Sequence, residues 1–319
     1  MAGVPGAGNE AGGWTTLALP FTGWIDRTAS RLLQPDDAPS ALTFDFSRPV
    51  GEPALVAPDS VSWRVFKNPL TLFVGGVGAV LLEFAEPRIR DGVWQHSSFR
   101  TAPLTRLQRT GLAAMVTVYG PRSKAEAMIA GVVARHGRVT GTTLEGMAYR
   151  ANDPELLNWV QATASFGFME AYHRLARPLS AAERDCLLSE GKAAADLYGA
   201  TGAPSTQADL DTLFEAMAPR LVPSPIVFEF LEIMWTVPAL PGPFRRLQQS
   251  LIKAAVAILP DWIRERLELG REWMPKPWEL RALRWAGRMA DRTVLPSSPA
   301  VQSCRRLGLP DDFLYRPAK

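Results

Sequence analysis

Only three histidines occur in the 319 residues, His96, His136 and His173, and helical phase separates them. His136 follows Val133, Val132 and Ile129 at distances of three, four and seven residues. On a helix its imidazole therefore shares the apolar stripe, at the C-terminal end. Two readings of such a histidine stay open. One is a core histidine held by hydrogen bonds. The other is the single axial ligand of a haem iron, which needs one neutral imidazole emerging from an apolar helix face. A site built from three or four protein ligands is not expected, because no further histidine or carboxylate clusters around it.

Arg106, Arg109 and Thr110 form the second group. Their offsets of three and four residues put them on one helical stripe, which continues through the small Ala113 and Thr117. The stripe reads either as an exposed basic turn or as a positive, hydrogen-bonding wall beside a buried anionic cofactor such as a porphyrin. His96, in Trp94-Gln95-His96-Ser97-Ser98-Phe99-Arg100, falls between two helical segments and says little alone. His173 follows Phe166 and Met169 but is flanked by Arg174 and Arg177, a peripheral, structural setting.

Other chemistries are excluded by what is missing. The two cysteines, Cys186 and Cys304, can form neither a disulfide framework nor a cysteine zinc site. Neither has a histidine nearby in sequence, and no Gly-x-Ser-x-Gly elbow occurs, so thiol-protease and serine-hydrolase readings fail. Gly75, Gly76 and Gly78 lack the Gly-Lys-Ser/Thr sequel of a phosphate loop and fit close helix packing instead. Thirty-five basic against 32 acidic residues leave a net charge of +3, too weak a field for a nucleic-acid binder.

The elements that must position these groups read as all-α. Apolar residues make up 47% and charged ones 21%, enough for a globular core. Ser123 stands three residues before Glu126, a capping-box spacing that opens a helix ending at His136 before Gly137. Pro103 suits the first turn of a helix running to Val118, with Gly120 and Pro121 beyond it. Asp153-Pro154 opens another, Ser180 with Glu183 and Thr206 with Asp209 cap two more, and Pro277 to Asp291 forms a further one. Only Arg138 to Thr143 reads as extended. The longest apolar stretch, Pro69 to Phe84, is interrupted by Glu83 and falls short of the ~20 residues that span a bilayer. It reads as a buried helix in a chain without a transmembrane segment, and with no signal peptide over Met1 to Gly13 the expected location is cytoplasmic. Residues 1–57 read as a loosely structured arm with one short helix near Ile25 to Leu33, and 58–319 as the main helical domain. Within that domain 219–319 forms a proline-punctuated wrap or lid whose tryptophans, Trp235, Trp262, Trp273, Trp278 and Trp285, read as gap-fillers between helices ahead of a ligand-facing role.

Several segments taken in order carry a resemblance. They are Gly75-Gly76-Val77-Gly78-Ala79-Val80-Leu81-Leu82, Ala85-Glu86-Pro87, His96-Ser97-x-Phe99, Arg106-x-x-Arg109-Thr110, Tyr119-Gly120, His136-x-x-Val139-x-Gly141, Tyr149-x-Ala151-x-Asp153-Pro154-x-Leu156-Leu157-x-Trp159-Val160, Glu170-Ala171-Tyr172 and Pro178-Leu179-Ser180. From about Asp59 onward the chain resembles the haem-dependent MpaB-type and rubber-oxygenase (latex-clearing protein) catalytic domain family. The resemblance implies a globin-like helical core around one haem b, with additional C-terminal helices. It implies His136 as the proximal iron ligand, Arg106 and Thr110 beside the haem, and His96 near its edge. Arg109 stands where the latex-clearing branch has a lysine near the iron, which argues against a lysine-ligated resting state. Gln161, in Trp159-Val160-Gln161-Ala162-Thr163, replaces a histidine of many relatives. The implied activity is that of an oxygenase using O2 on an apolar, unsaturated, prenyl-like small molecule, with Arg106, Arg109 and Thr110 as the catalytic set. A haem-dependent dehydrogenase or peroxidase-like enzyme, a non-catalytic haem carrier or sensor, and a cofactor-free helical interaction module are the alternatives.

Overall fold

A computed structural model describes residues 43–240 and 245–316. Its helices begin where the side chains and prolines dictate. Helix α1, Val61–Phe66, is capped by Ser60, whose hydroxyl accepts from the Trp63 amide. Helix α2, Pro69–Phe84, has proline in its first turn, and Asn68 accepts from the Leu70 and Thr71 amides. Helix α3, Pro87–His96, leaves α2 at a bend of 110°. Helices α4, Pro103–Tyr119, and α5, Arg122–His136, follow. The capping box expected at Ser123 does not form. The helix starts one residue earlier, and the Ser123 amide donates instead to the Glu52 carboxylate at 2.6 Å.

A short antiparallel hairpin, β1 (Thr140–Thr142) and β2 (Ala148–Arg150), comes next, with Thr140 opposite Arg150. Its first strand falls in the stretch expected to be extended; the second carries too little alternation to announce itself. Helix α6, Pro154–Leu175, is capped by Asp153. Helices α7 (Ala181–Glu190), α8 (Lys192–Tyr198) and α9 (Gln207–Met217) follow; the box foreseen at Ser180/Glu183 is made, and Thr206 with Asp209, expected to open a helix, forms one too. The remaining helices are α10 (Pro225–Thr236), α11 (Arg245–Ala257), α12 (Asp261–Arg266), α13 (Pro277–Arg292) and α14 (Pro299–Arg306). The fold is all-α apart from the hairpin. The short helix expected near Ile25 to Leu33 lies outside the described residues.

Helices α2 and α6 make the most extensive pair. Gly75 and Gly167 face each other across it, and a Cβ on Gly75 would sit 2.8 Å from the Gly167 carbonyl oxygen. Backbones approach this closely only because neither position has a side chain. Helices α10, α11 and α13 pack on the rest of α2, burying the main apolar core. Helices α4 and α5 pair separately, and α4 buries Leu112, Met115, Val116 and Tyr119 in a second cluster with Phe46, Trp63 and Cys304. Arg306 locks that cluster. Its buried guanidinium donates to the carbonyls of Phe46, Glu52 and Tyr119 at 2.7–2.8 Å. The two pairs are bridged by α1 at one end and by α8, which touches both α5 and α6. Among the described residues no extensive backbone packing joins α4 or α5 directly to α2 or α6.

No single helix among the described residues is long and apolar enough to cross a membrane, and α2 buries most of its length against other helices. The C-terminal tryptophans split. Trp235 and Trp273 meet edge to face at 5.8 Å, as gap-fillers should. Trp262, Trp278 and Trp285 do not fill gaps: they are 37%, 62% and 67% exposed. Helical periodicity alone could not tell which tryptophans the core had room for.

Candidate functional site

The separation of the two helix pairs leaves a line of half-covered residues on α2. Phe73, Gly76, Val80 and Glu83 recur at three- and four-residue spacing on a helix whose other faces are buried. Phe168 of α6 borders the same line, its ring 3.9 Å from where a Gly76 Cβ would lie. Helix α4 presents Arg106, Ala113 and Thr117, half-buried, and Thr110, exposed. The Thr117 hydroxyl meets the phenol of Tyr198 on α8 at 3.2 Å. Helix α5 buries Ile129 and half-buries Val132, Val133 and His136. The imidazole thus sits where the apolar stripe gives way to an accessible space.

Three charged or ionisable groups from three helices are linked electrostatically through Arg106. Burial lowers the His136 pKa below its ordinary value, and the positive charges of Arg106 and Arg135 lower it further. Burial also depresses Arg106, while the field of Glu83 opposes and that of Arg109 adds to the effect. Burial raises Glu83 to about 7, with Arg106 as the only counteracting charge among the described residues. Glu83 keeps part of its surface accessible although protein surrounds it closely. Its carboxyl has no hydrogen-bond partner and no ion pair among the described residues, and neither ring nitrogen of His136 has one.

Arg106 is held by its own helix. Its guanidinium donates to the Thr110 hydroxyl, and that hydroxyl donates back to the Arg106 carbonyl at 2.9 Å. Thr110 therefore fixes Arg106 in place. Arg109 is exposed and acts on this group only through its field at Arg106. His96 lies apart, exposed at the end of α3, with Nε2 3.1 Å from the Tyr149 phenol, which itself donates to Gln95. Its hydrogen bonds join it to the hairpin, not to Arg106 or His136. His173 accepts from the Leu179 amide at 2.9 Å and so stabilises the turn after α6, the structural part expected of it.

Glu83 was not singled out by sequence reasoning, which registered it only as the residue that ends an apolar run. The signal was present: it is the lone ionisable side chain in the 16 residues of α2. A carboxylate in such a helix is costly unless its surroundings serve a purpose. Among the described residues no three histidine, cysteine or acidic side chains gather as an all-protein metal site.

A family model described as the catalytic domain of the ER-bound oxygenase mpaB/B' and rubber oxygenases matches residues 63–292. Neither the curated proteins nor the solved structures contain a significant match. The matched segment takes in helices α2 through α6 and the whole group of Glu83, Arg106, Thr110 and His136. The chain belongs to this mpaB/rubber oxygenase family.

Proposed function

We propose that the chain is a haem b-dependent oxygenase that uses O2 on an apolar, unsaturated, prenyl-like small molecule, with His136 as the single protein ligand to iron. One observation carries the reading beyond the oxygenase family itself. The His136 imidazole is held neutral by burial and by two arginines, yet has no hydrogen-bond partner, at the edge of a half-covered groove. Its ring nitrogens reach the surface instead of being buried and unpaired, so they are open to a ligand. A neutral, unpartnered imidazole is the form that donates a lone pair to a metal.

The surrounding residues fit an anionic macrocycle better than a free ion. Gly76 and Ala113 are small enough for a flat ring to approach, and Phe73, Val80 and Phe168 supply apolar walls. Arg106, braced by Thr110, places a positive charge for a carboxylate on the ring edge. When bound, the haem supplies the redox chemistry with O2. The chain's own residues exclude water with the apolar stripe of α2, orient the carboxylates through Arg106, and hold one proton at Glu83 near neutral pH.

The test is the absorption spectrum of the purified chain after haem is supplied. A Soret band that shifts or weakens in His136→Ala is the expected result. No Soret band, or one indifferent to that substitution, removes the haem assignment. Isotopically labelled O2 then separates oxygenation from dehydrogenation, since only the former carries label into the product.

A further inference from the structure

We propose that the outer face of α13 is a docking surface for the headgroup layer of an anionic lipid bilayer. The helix, Pro277–Arg292, is anchored from behind. Its Glu279 is buried and accepts from the Lys276 amide and the Ser250 hydroxyl, and the Gly287 carbonyl accepts from the buried Asn68 side chain. Gly287 also lies directly on the Leu175 backbone. The opposite face is therefore presented rigidly and outward.

That face has an unusual makeup. Trp278 and Trp285, seven residues apart on one line, are 62% and 67% exposed. Beside them Arg281, Arg284 and Arg288 are all exposed, and none forms an ion pair among the described residues. The helix has two acids, and neither serves the outer face. Glu279 is the buried cap, and Asp291 turns inward to the Tyr172 phenol and to Lys67 at 3.6 Å. Helix α11, packed alongside, contains no acid at all.

In water this arrangement costs stability. Arg281 with Arg284 and Arg284 with Arg288 are like charges at spacings where an acid–base pair would stabilise the helix. Two large aromatic surfaces stay hydrated as well. An anionic bilayer removes both costs together. Its phosphates and carboxylates neutralise the arginines, and the indoles settle at the boundary between headgroups and acyl chains, where an amphipathic aromatic ring is most favourable. Nucleic acid would satisfy the charge, but the +3 net charge of the chain is small, and exposed tryptophan on a rigid helix suits an interface better than a stacked strand. The surface does not depend on the haem reading, so each can fail without the other.

Sedimentation of the full chain with vesicles tests it. Phosphatidylcholine alone should retain little protein. Vesicles with about one-third phosphatidylserine should bind it, less so as salt is raised. Replacing Arg281, Arg284 and Arg288 together by glutamine should lower partitioning on the order of a hundredfold, at roughly fivefold per charge. The matching triple lysine variant should retain it. Trp278→Ala with Trp285→Ala should reduce the binding that persists at high salt. Unchanged melting temperatures, expected for exposed positions, show that the variants are folded. The proposal is overturned if the wild-type chain does not prefer anionic vesicles, if the glutamine variant binds as wild type does, or if the chain captures single-stranded RNA while ignoring vesicles.

Discussion

Glu83→Gln isolates the cost of placing a carboxyl in the groove. In the unfolded chain this carboxyl titrates near 4.5, and in the folded protein it keeps its proton until about 7. Between those values the folded state binds more protons, so stability falls as pH rises, and the loss is complete above about pH 7. Below the unfolded value both states are protonated and Glu83 contributes nothing. A shift from 4.5 to about 7, at 1.36 kcal/mol per unit, gives an upper limit of about 3 kcal/mol. Water reaching the accessible part of the carboxyl reduces the figure from there. Glutamine has nearly the same shape and no titration, so it removes the penalty. The assay is urea unfolding of both chains without haem, at about pH 5 and about pH 8.5. The glutamine chain should gain on the wild type by less than about 1 kcal/mol at the lower pH and by about 2–3 kcal/mol at the higher. His136, whose pKa is lowered, acts in the opposite sense below its unfolded value of 6.5, but it is present in both chains and cancels. An equal difference at both pH values would refute the argument that burial, rather than simple bulk, sets the energy of this side chain.

Gly167→Ala should destabilise by about 2–3 kcal/mol in the same urea assay, because its methyl group meets the backbone of Gly75 and the Ala79 side chain, neither of which can turn away. A loss under about 0.5 kcal/mol would mean that α2 and α6 can separate freely. Arg306→Lys should cost about 3 kcal/mol, since one ammonium group cannot replace the guanidinium fork at the carbonyls of Phe46, Glu52 and Tyr119; a neutral result would contradict the part given to that fork. Haem binding near pH 7 should take up protons in wild type and fewer in Glu83→Gln, measured by calorimetry in two buffers of different ionisation enthalpy. Equal uptake by the two chains would separate Glu83 from the binding site.

Helix starts were legible wherever the capping residue is local, as at Asp153, Ser180 and Thr206. At Ser123 the expected box was wrong, because Ser123 lies inside the first turn and its amide takes a distant partner. Glu52, 71 positions away, supplies the cap, and no local rule can foresee a carboxylate delivered by a distant loop. The same limit explains the tryptophans, because Trp235 and Trp285 look alike until the fold decides which has a neighbour. For the site, helical phase grouped Arg106 and Thr110 on one helix and His136 on the next, and the structure has them on helices α4 and α5. Phase could not say that α4 and α5 stand apart from α2 and α6, or that Glu83 of α2 lies within the field of Arg106.

Arg106 is the group through which the others are coupled. It is the one charge among the described residues that lowers Glu83, and one of two that keep His136 neutral. An anion seated against Arg106 neutralises that field at both places. Glu83 then loses that counter-charge and holds its proton to higher pH, while the imidazole becomes more basic and a stronger donor of its lone pair. A carboxylated ring bound at Arg106 would thus improve its own ligand and protonate its neighbour in the same act. A neutral ligand, or a free cation at His136, would do neither. The direction of proton flow on binding therefore reports which kind of molecule the groove was built to hold.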